Sequence, residues 1–275
     1  MNENDSILFK ETPKEILEIY NTPYKLLPGQ IEEYQKNGFI KLGNVLSGDA
    51  LAYSREVITA AVNSRTGGDK RSLKEKSQYE QSFKQCGYLC WDYPAVKDYV
   101  FGKRFAGITR DLMKVNGIRL WHDQALYKEP GGRLTDCHQD ESYWPINSEN
   151  TITMWMALVD VPEVKGCMRF IPNTHKIGVR EYVDIFENPH MPESMEYQIR
   201  TTVPLRAGDV TFHSGLTFHE ACPNQTNEMR EAMTVIYFED GATYTDEDVR
   251  SKDHKSCWGL KHGEVIDTQF TPKLL

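Results

Sequence analysis

Residues 208–219 read GDVTFHSGLTFH, and this stretch decides the fold. A Gly-Asp turn opens a pair of short strands rich in β-branched and aromatic residues, with His213 in the first strand and His219 in the second. Short runs of this kind, each ended by Gly, Pro, Asn or Asp, recur along the chain after Gly117. We predict strands over residues 118–128, 134–140, 151–160, 167–171, 201–204, 209–213, 216–221 and 231–238.

The chain before Gly117 has the periodicity of helices. Residues 29–37 predict a short helix that ends at Gly38, and the strand-like residues 39–42 follow it. Two further helices are predicted after Ser47 and after Pro94 from apolar residues at helical spacing. Those apolar residues are Val57, Ile58, Ala61 and Val62, then Phe101, Phe105, Ile108 and Leu112. Helices followed by many short strands predict an α+β fold, mainly β, with an antiparallel barrel or two-sheet roll as its core.

Three stretches lack these patterns. Residues 1–27 mix charges and prolines and predict an extended arm, whereas residues 63–80 are almost wholly polar and predict a solvated loop. Residues 178–200 form a long connection between strands, and connections of that length are either functional lids or disordered. We predict a single domain over residues 1–275, in which 178–200 is a candidate lid.

Composition limits the classes of function. The chain has 40 acidic and 32 basic side chains and a net charge of −8, which argues against a nucleic-acid partner. No apolar run approaches the roughly 18 residues that span a bilayer, and the first residues do not resemble a signal peptide. We therefore expect a cytoplasmic protein with no membrane partner. Its six cysteines are expected to stay reduced, and their spacing does not match a zinc site.

A second stretch, CHQDESYW at residues 137–144, carries the chemistry. On a strand His138 and Asp140 point to the same face, because alternate side chains do so. A third ligand from another strand would complete the face of two histidines and one carboxylate that is typical of non-haem Fe(II) oxygenases. The pair alone is a weak signal in a chain with eight histidines, and both His213 and His219 have the parity to be the third ligand.

The two stretches and the residues after them resemble the phytanoyl-CoA dioxygenase family of Fe(II)/2-oxoglutarate-dependent oxygenases. That family combines H-x-D, a Gly-Asp turn, a distal histidine, a downstream asparagine, and an arginine eleven residues after the histidine. The chain supplies these in order as His138, Asp140, Gly208, Asp209, His219, Asn224 and Arg230. The likeness continues at residues 38–39, 128–131, 166–172 and 263–267, so it covers nearly the whole chain from about Pro28 onward.

The resemblance implies a double-stranded β-helix, a cupin-like jelly roll with N-terminal helices packed on one outer sheet. It implies three ligands of Fe(II), which are His138, Asp140 and His219. Arg230 is implied to bind the distal carboxylate of 2-oxoglutarate, a task that suits a planar guanidinium better than an ammonium. Further contacts of this cosubstrate are implied at Gln85, Thr135 and Trp155.

Several positions have a second interpretation. A small polar residue two places after the distal histidine often assists the arginine in the family, and Ala221 stands there in this chain. The spacing to Arg230 favours His219 over His213, which is then expected to be a packed or hydrogen-bonded neighbour. His175 is expected to be structural, and Trp144 and Trp155 fit a core or a pocket equally well. The remaining histidines show no partner pattern and predict surface or turn positions: His122, His190, His254 and His262.

The implied activity is that of an enzyme, a non-haem dioxygenase that uses Fe(II), 2-oxoglutarate and O2. It would oxidise a C–H bond of a small-molecule metabolite and release succinate and CO2, in a reaction of secondary metabolism. Hydroxylation, desaturation and oxidative cyclisation remain open, and so does the oligomeric state. The relatives that halogenate have Ala or Gly in place of the carboxylate, so Asp140 argues against halogenation. The alternatives are a non-catalytic sensor of iron or 2-oxoglutarate with the same fold, and a structural roll with a fortuitous H-x-D.

Overall fold

The computed structural model describes residues 3–178, 182–186, 193–247 and 254–275. Its α-helices are α1 (Lys14–Asn21), α2 (Gln30–Asn37), α3 (Gly48–Thr66), α4 (Gln78–Ser82), α5 (Leu89–Asp92), α6 (Pro94–Val100) and α7 (Lys103–Met113). Its strands are β1 (Phe39–Leu42), β2 (Lys84–Gly87), β3 (Ile118–Lys128), β4 (Thr135–His138), β5 (Ile146–Asn147), β6 (Thr151–Ala157), β7 (Met168–Phe170), β8 (Thr201–Val203), β9 (Val210–Ser214), β10 (His219–Ala221), β11 (Arg230–Glu239) and β12 (Thr243–Tyr244). Short 3-10 turns lie at Glu3–Phe9, Leu73–Glu75, Asp140–Tyr143, Thr174–Ile177, Glu193–Met195 and Lys255–Cys257.

Two antiparallel sheets and one short strand pair form the β-structure of the described ranges. The large sheet has the order β1-β9-β6-β11-β3-β2, the small sheet has the order β4-β10-β7-β8, and β5 pairs with β12. Each strand predicted after Gly117 is present, and β3 has the predicted bounds. The α+β class is therefore confirmed. Helical residues are about as numerous as strand residues, so "mainly β" describes the chain after Gly117 and not the whole.

Burial on both faces explains the apolar sequence of β6. Met154 and Met156 point into a core shared with the helices, whereas Trp155 and Ala157 point into a core shared with the small sheet. Phe170 of β7 belongs to this second core. The helices thus cover one face of the large sheet and the small sheet covers the other. The space between the sheets holds the site described below.

The predicted helices are confirmed with one difference. α2 ends at Gly38, whose φ of +82° is readily adopted by glycine alone, and α3 begins directly after Ser47 with its predicted apolar stripe buried. The helix predicted after Pro94 is two helices, α6 and α7. The helix is interrupted between them at Phe101 and Gly102, where the backbone leaves the helical conformation.

The prediction of an extended arm over residues 1–27 is wrong. This range contains α1, and Leu8, Ile16 and Tyr20 are buried in the core beneath the helices. The hydroxyl of Tyr20 lies 2.7 Å from Oγ of Ser54 on α3. Ile16 and Tyr20 share one helix face, but a two-residue pattern is too short to outweigh the surrounding charges and prolines.

Residues 63–80 are polar, as predicted, but they are not simply a loop. α3 continues through Thr66, and α4 begins inside the range at Gln78. A reciprocal cap starts α4: Oγ of Ser77 accepts from the Glu80 amide at 3.2 Å, and the Glu80 carboxylate accepts from the Ser77 amide at 2.8 Å. Local capping therefore gives regular structure to a segment that buries little apolar surface.

The candidate lid over residues 178–200 is described only in part, since 179–181 and 187–192 lie outside the described residues. In the described part, the ring of Tyr182 packs edge-to-face on Tyr143 with the centroids 5.5 Å apart. Tyr143 belongs to the same 3-10 turn as Asp140. The candidate lid therefore passes close to the predicted site at Tyr182. Its role as a lid stays a prediction.

Gly208 is required by the turn that opens β9. Its φ is +85°, and a Cβ atom there would lie 2.0 Å from the carbonyl oxygen of Leu46. We expect Gly208→Ala to lower the free energy of unfolding by at least about 2 kcal/mol, measured by urea denaturation, because both strain and a backbone clash are introduced. Gly241→Ala is the matched control, with φ of +100° but no atom within 4 Å. An unchanged midpoint for Gly208→Ala would contradict this account.

Candidate metal centre

Three predicted ligands meet at the edge of the small sheet. His138 ends β4 and His219 begins β10, and the two are direct partners across these antiparallel strands, with ring centroids 4.4 Å apart. Asp140 lies beyond the strand, in the 3-10 turn that follows Gln139. The prediction that a strand extends to residue 140 is therefore wrong, but the turn still directs the Asp140 carboxylate toward both imidazoles.

The ligand atoms are close enough to share one ion. Oδ1 of Asp140 lies 3.5 Å from Nε2 of His138 and 3.6 Å from Nε2 of His219. All three ligand atoms are within 4.8 Å of one another. A metal about 2 Å from each atom fits between them. The histidines are buried and the carboxylate is half-buried, so one side of the group stays open to the cavity.

Backbone carbonyls orient both histidines. Nδ1 of His138 lies 2.6 Å from the carbonyl oxygen of Asp136, and Nδ1 of His219 lies 2.9 Å from that of Thr217. Only a protonated Nδ1 can donate to a carbonyl, so a ring that carries its one proton on Nδ1 leaves Nε2 as the acceptor that faces Asp140. Metal-bound histidines ordinarily have such a partner on the second nitrogen. Burial lowers the pKa of His219 to about 3, which keeps this ring neutral at pH 7.

The other carboxylate oxygen of Asp140 contacts different residues. Oδ2 accepts from Oγ1 of Thr153 at 2.7 Å and lies 3.3 Å from Nε2 of His213. Burial alone raises the pKa of Asp140, but the imidazoles of His219, His138 and His213 together hold it well below its usual range. His213 thus faces the oxygen turned away from the other two histidines. This position fits a residue that orients the carboxylate. It also distinguishes the role of His213 from that of His219, whose Nε2 faces Oδ1.

Arg230 presents a buried guanidinium with no carboxylate partner among the described residues. One terminal nitrogen donates to the carbonyl oxygen of Gly166 at 3.3 Å and the other to that of Leu126 at 3.1 Å, while Nε has no partner there. The group lies over the ring of Trp155, 5.2 Å from its centroid. Burial lowers the pKa of Arg230 to about 9, so the side chain is still charged at pH 7. A buried cation of this kind is suited to an anionic ligand.

The predicted cosubstrate contacts line the same cavity as the three ligands and Arg230. This cavity has a volume of about 670 Å³. Gln85 on β2 hydrogen-bonds to Gln124 and to the hydroxyl of Tyr79. Thr135 on β4 faces Ala221 on β10, and its Oγ1 accepts from the buried ammonium of Lys128 at 3.4 Å. The structure therefore brings together every residue for which the resemblance implies a role.

Two further histidines of this cavity are not found by sequence reasoning. The prediction that His122 is a surface or turn residue is wrong, because it is buried on β3 and lines the cavity. His254 does precede a turn, the 3-10 turn Lys255–Cys257, but it too lines the cavity, beside Tyr88. Alternation on β3 places His122 on the same face as Gln124, which is the only signal in the sequence for its position. Trp144 and Trp155 are buried residues that also line the cavity, which satisfies both interpretations.

The other histidines are resolved individually. His175 is structural as expected, since it lies in a 3-10 turn with Nε2 3.2 Å from the carbonyl oxygen of Gln35. His262 is exposed beside Asp246, as expected. His190 lies outside the described residues.

All six cysteines are buried free thiols. In the described part of the chain no helix is long and apolar enough to cross a bilayer.

Comparison with known proteins connects this geometry to a family. The family model described as Phytanoyl-CoA dioxygenase (PhyH) matches residues 34–232. A relative in Arabidopsis thaliana, named Phytanoyl-CoA dioxygenase, is 25% identical over 190 residues, which is 66% of this chain and 65% of that protein. The chain thus spans just under two thirds of the Arabidopsis relative. A rice relative, Phytanoyl-CoA dioxygenase 1 of Oryza sativa subsp. japonica, is 25% identical over 72% of this chain and 75% of its own.

Solved structures show the same similarity. The non-heme alpha-ketoglutarate-dependent carbocyclase SnoK from nogalamycin biosynthesis aligns with a TM-score of 0.75 and 26% identity, over 92% of this chain and 99% of its own. The epimerase SnoN, solved in complex with Fe3+, alpha-ketoglutarate and nogalamycin RO, has the same fold, with a TM-score of 0.71 and 24% identity over 96% of this chain and 100% of its own. The chain belongs to the phytanoyl-CoA dioxygenase family, as its sequence predicts.

Proposed function

We propose that the chain binds Fe(II) through His138, Asp140 and His219 and oxidises a C–H bond of a small-molecule metabolite. One observation carries this proposal: three converging ligand atoms and an arginine without a carboxylate partner among the described residues lie in a single cavity. Iron with 2-oxoglutarate and O2 supplies the oxidation, in which the cosubstrate becomes succinate and CO2. A small-molecule substrate is supported by the complex of SnoN with nogalamycin RO.

Each side chain has a role in this proposal. Asp140 supplies the anionic ligand, and Thr153 and His213 hold its second oxygen so that the first faces the metal. Arg230 binds the distal carboxylate of 2-oxoglutarate, and Trp155 supports the guanidinium from one side. Gln85 and Thr135 line the same space and are proposed as its further contacts.

We further propose that the two sheets form the double-stranded β-helix of a jelly roll within a single domain. The sheet orders and the shared core between the sheets support this assignment. The metal centre then lies where the small sheet meets the large one, since His138 and His219 belong to the former and Thr153 and His213 to the latter. The enzyme would act in the cytoplasm, and the candidate lid over 178–200 would close the mouth of the roll.

The test combines binding with turnover. Purified protein is incubated aerobically with Fe(II), 2-oxoglutarate and candidate metabolites, and succinate release is scored; cosubstrate binding is measured in parallel without O2. We expect binding in all samples and strong succinate release with the true substrate. Binding of 2-oxoglutarate without turnover for any compound would support the sensor instead. Failure to bind iron at all would contradict the proposal.

The carboxylate of Asp140 predicts that the enzyme does not halogenate its substrate. In relatives that halogenate, a small residue replaces the carboxylate and leaves a metal position for chloride, whereas Asp140 would fill that position here. We therefore expect no chlorinated product even in high chloride, because the anionic ligand and chloride would compete for the same site. Products are analysed by mass spectrometry from parallel reactions in chloride and in acetate. A chlorine isotope pattern in the chloride sample would contradict the assignment of Asp140.

A further inference from the structure

We propose that the substrate of this site is an uncharged, largely apolar ring system with a hydroxyl group, and that Tyr88, His122 and His254 bind this hydroxyl. The inference rests on the proposed function, since it concerns the same cavity. Three properties of the cavity support it: a polar cluster held in a fixed position, the absence of a free cation in the described lining, and a wall of aromatic rings beside the metal centre.

The polar cluster comes from three distant parts of the chain. The hydroxyl of Tyr88 lies 2.6 Å from Nδ1 of His254. The ring of His122 packs 5.4 Å from Tyr88 and 5.0 Å from His254, measured between centroids. His254 in turn stacks on the buried ring of Trp121, 4.4 Å away and nearly parallel. All three members of the cluster line the cavity that holds the metal ligands.

The backbone at Tyr88 is held in a conformation that tyrosine rarely adopts. Its φ is +59°, and its amide donates to the carbonyl oxygen of Asp123 at 2.9 Å. The carboxylate of the fully buried Asp123 accepts from the next two amides, those of Leu89 at 2.9 Å and Cys90 at 3.2 Å. Strained backbone persists only where surrounding contacts determine it, and it is concentrated at ligand-binding positions. Asp123 therefore fixes the backbone at Tyr88, and the contact with His254 positions the Tyr88 hydroxyl.

The cluster is uncharged at neutral pH. Burial lowers the pKa of His122 to about 4, lowers that of His254 as well, and raises that of Tyr88. Neutral imidazole and phenol groups each offer both a donor and an acceptor, which a hydroxyl complements on both counts. A carboxylate or phosphate would lose its hydration without meeting a positive charge.

The rest of the described lining offers no free cation. Arg230 is the one lysine or arginine among the described lining residues, and the proposed function assigns it to 2-oxoglutarate. The acidic lining residue Glu220 is already paired, with Arg169 at 2.8 Å and Arg200 at 3.4 Å. Asp140 is a proposed metal ligand. The charges of the described lining are thus all engaged, which favours a substrate without charge.

A cluster of aromatic rings leads from the metal centre along the cavity. The ring of Tyr143 lies 5.9 Å from that of His138, and Phe186 lies 5.7 Å from Tyr143. Tyr79 continues the cluster, 4.5 Å from Phe186 and 5.1 Å from Phe83. Aromatic walls of this kind bind apolar rings by stacking and edge contacts. A ring system bound there would lie beside His138, one of the three proposed metal ligands.

The test compares three probes of one shape: 2-naphthol, 2-methylnaphthalene and naphthalene-2-sulfonate. Each is titrated calorimetrically, without O2, into protein loaded with Fe(II) and 2-oxoglutarate. We expect 2-naphthol to bind at least about 10-fold more tightly than either of the others, because a site built for a hydroxyl rejects an analogue that leaves its polar groups unpaired.

Tyr88→Phe and His254→Phe are each expected to weaken the binding of 2-naphthol about 5- to 10-fold and to change the binding of 2-methylnaphthalene less than 2-fold. His254→Phe retains the stacking on Trp121, and Tyr197→Phe, at an 88% exposed position, is the matched control.

The outcomes separate this inference from the proposed function. Tighter binding of the sulfonate, or equal losses for naphthol and methylnaphthalene in both variants, would overturn the inference. The visible charge-transfer band of the iron and 2-oxoglutarate complex is recorded in the same samples. Its absence from the wild-type protein would contradict the proposed function, whereas its presence together with a failed naphthol preference would contradict only the substrate class.

Discussion

His219→Ala should abolish iron binding and turnover together, whereas His213→Ala should leave iron bound. Nε2 of His219 lies 3.6 Å from Oδ1 of Asp140, the oxygen that also faces His138, while Nε2 of His213 lies 3.3 Å from the opposite oxygen, Oδ2. Removing His219 therefore deletes a proposed ligand, and removing His213 deletes a group that orients one. We expect Asp140→Ala to act like His219→Ala, because two neutral imidazoles alone hold Fe(II) weakly.

The measurement is iron affinity, by competition with a chromophoric chelator, with succinate release recorded on the same preparations. We expect a loss of at least about 100-fold in affinity for His219→Ala and Asp140→Ala, and of about 10-fold for His213→Ala, which is typical of residues that orient ligands. Thermal unfolding of the metal-free proteins shows whether each variant is folded. Retained iron in His219→Ala together with lost iron in His213→Ala would reassign the third ligand.

At the candidate metal centre, local sequence patterns predict two of the three proposed ligands but do not identify the third. The pair His138 and Asp140 is predictable because two residues of separation place both on one side of an extended chain. The strand in fact ends at His138, and a 3-10 turn completes the convergence. His213 and His219 have the same parity, so strand alternation alone does not distinguish them. What distinguishes them is tertiary: His219 pairs with His138 across β4 and β10, and His213 pairs with Thr153 across β9 and β6.

The polar cluster and the N-terminal helix show why other features escape sequence analysis. Tyr88, His122 and His254 have no common motif, since their contacts join residues separated by up to 166 positions. The buried face of α1 likewise makes long-range contacts, such as that of Tyr20 with Ser54, which lies 34 residues away. Such long-range contacts arise from sheet order and helix packing, and periodicity within one segment carries no information about them.

The Arg230→Ala variant should bind 2-oxoglutarate roughly 10- to 100-fold more weakly than the wild-type protein. Arg230 is fully buried, and within the described residues its Nε has no partner, so a carboxylate placed there would accept charge-assisted hydrogen bonds in a partly dry site. Hydrogen bonds to charged groups contribute about 1.5–3 kcal/mol, which corresponds to this loss of affinity. Arg230→Lys retains the charge without the planar fork and is expected to lie between the two.

The absence of a helper residue raises the importance of this arginine. Ala221 stands where the family often has a small polar residue, and it lines the same cavity, so a carboxylate bound by Arg230 would lack that second donor. The KM for 2-oxoglutarate and its anaerobic Kd are measured for all three proteins, with Arg110→Ala on the surface as the matched control. Unfolding temperatures and iron affinity identify any loss that comes from the buried substitution itself. Unchanged cosubstrate affinity in a folded Arg230→Ala would transfer the role to another cation, first to Lys128, whose ammonium already contacts Thr135, and then to Lys84.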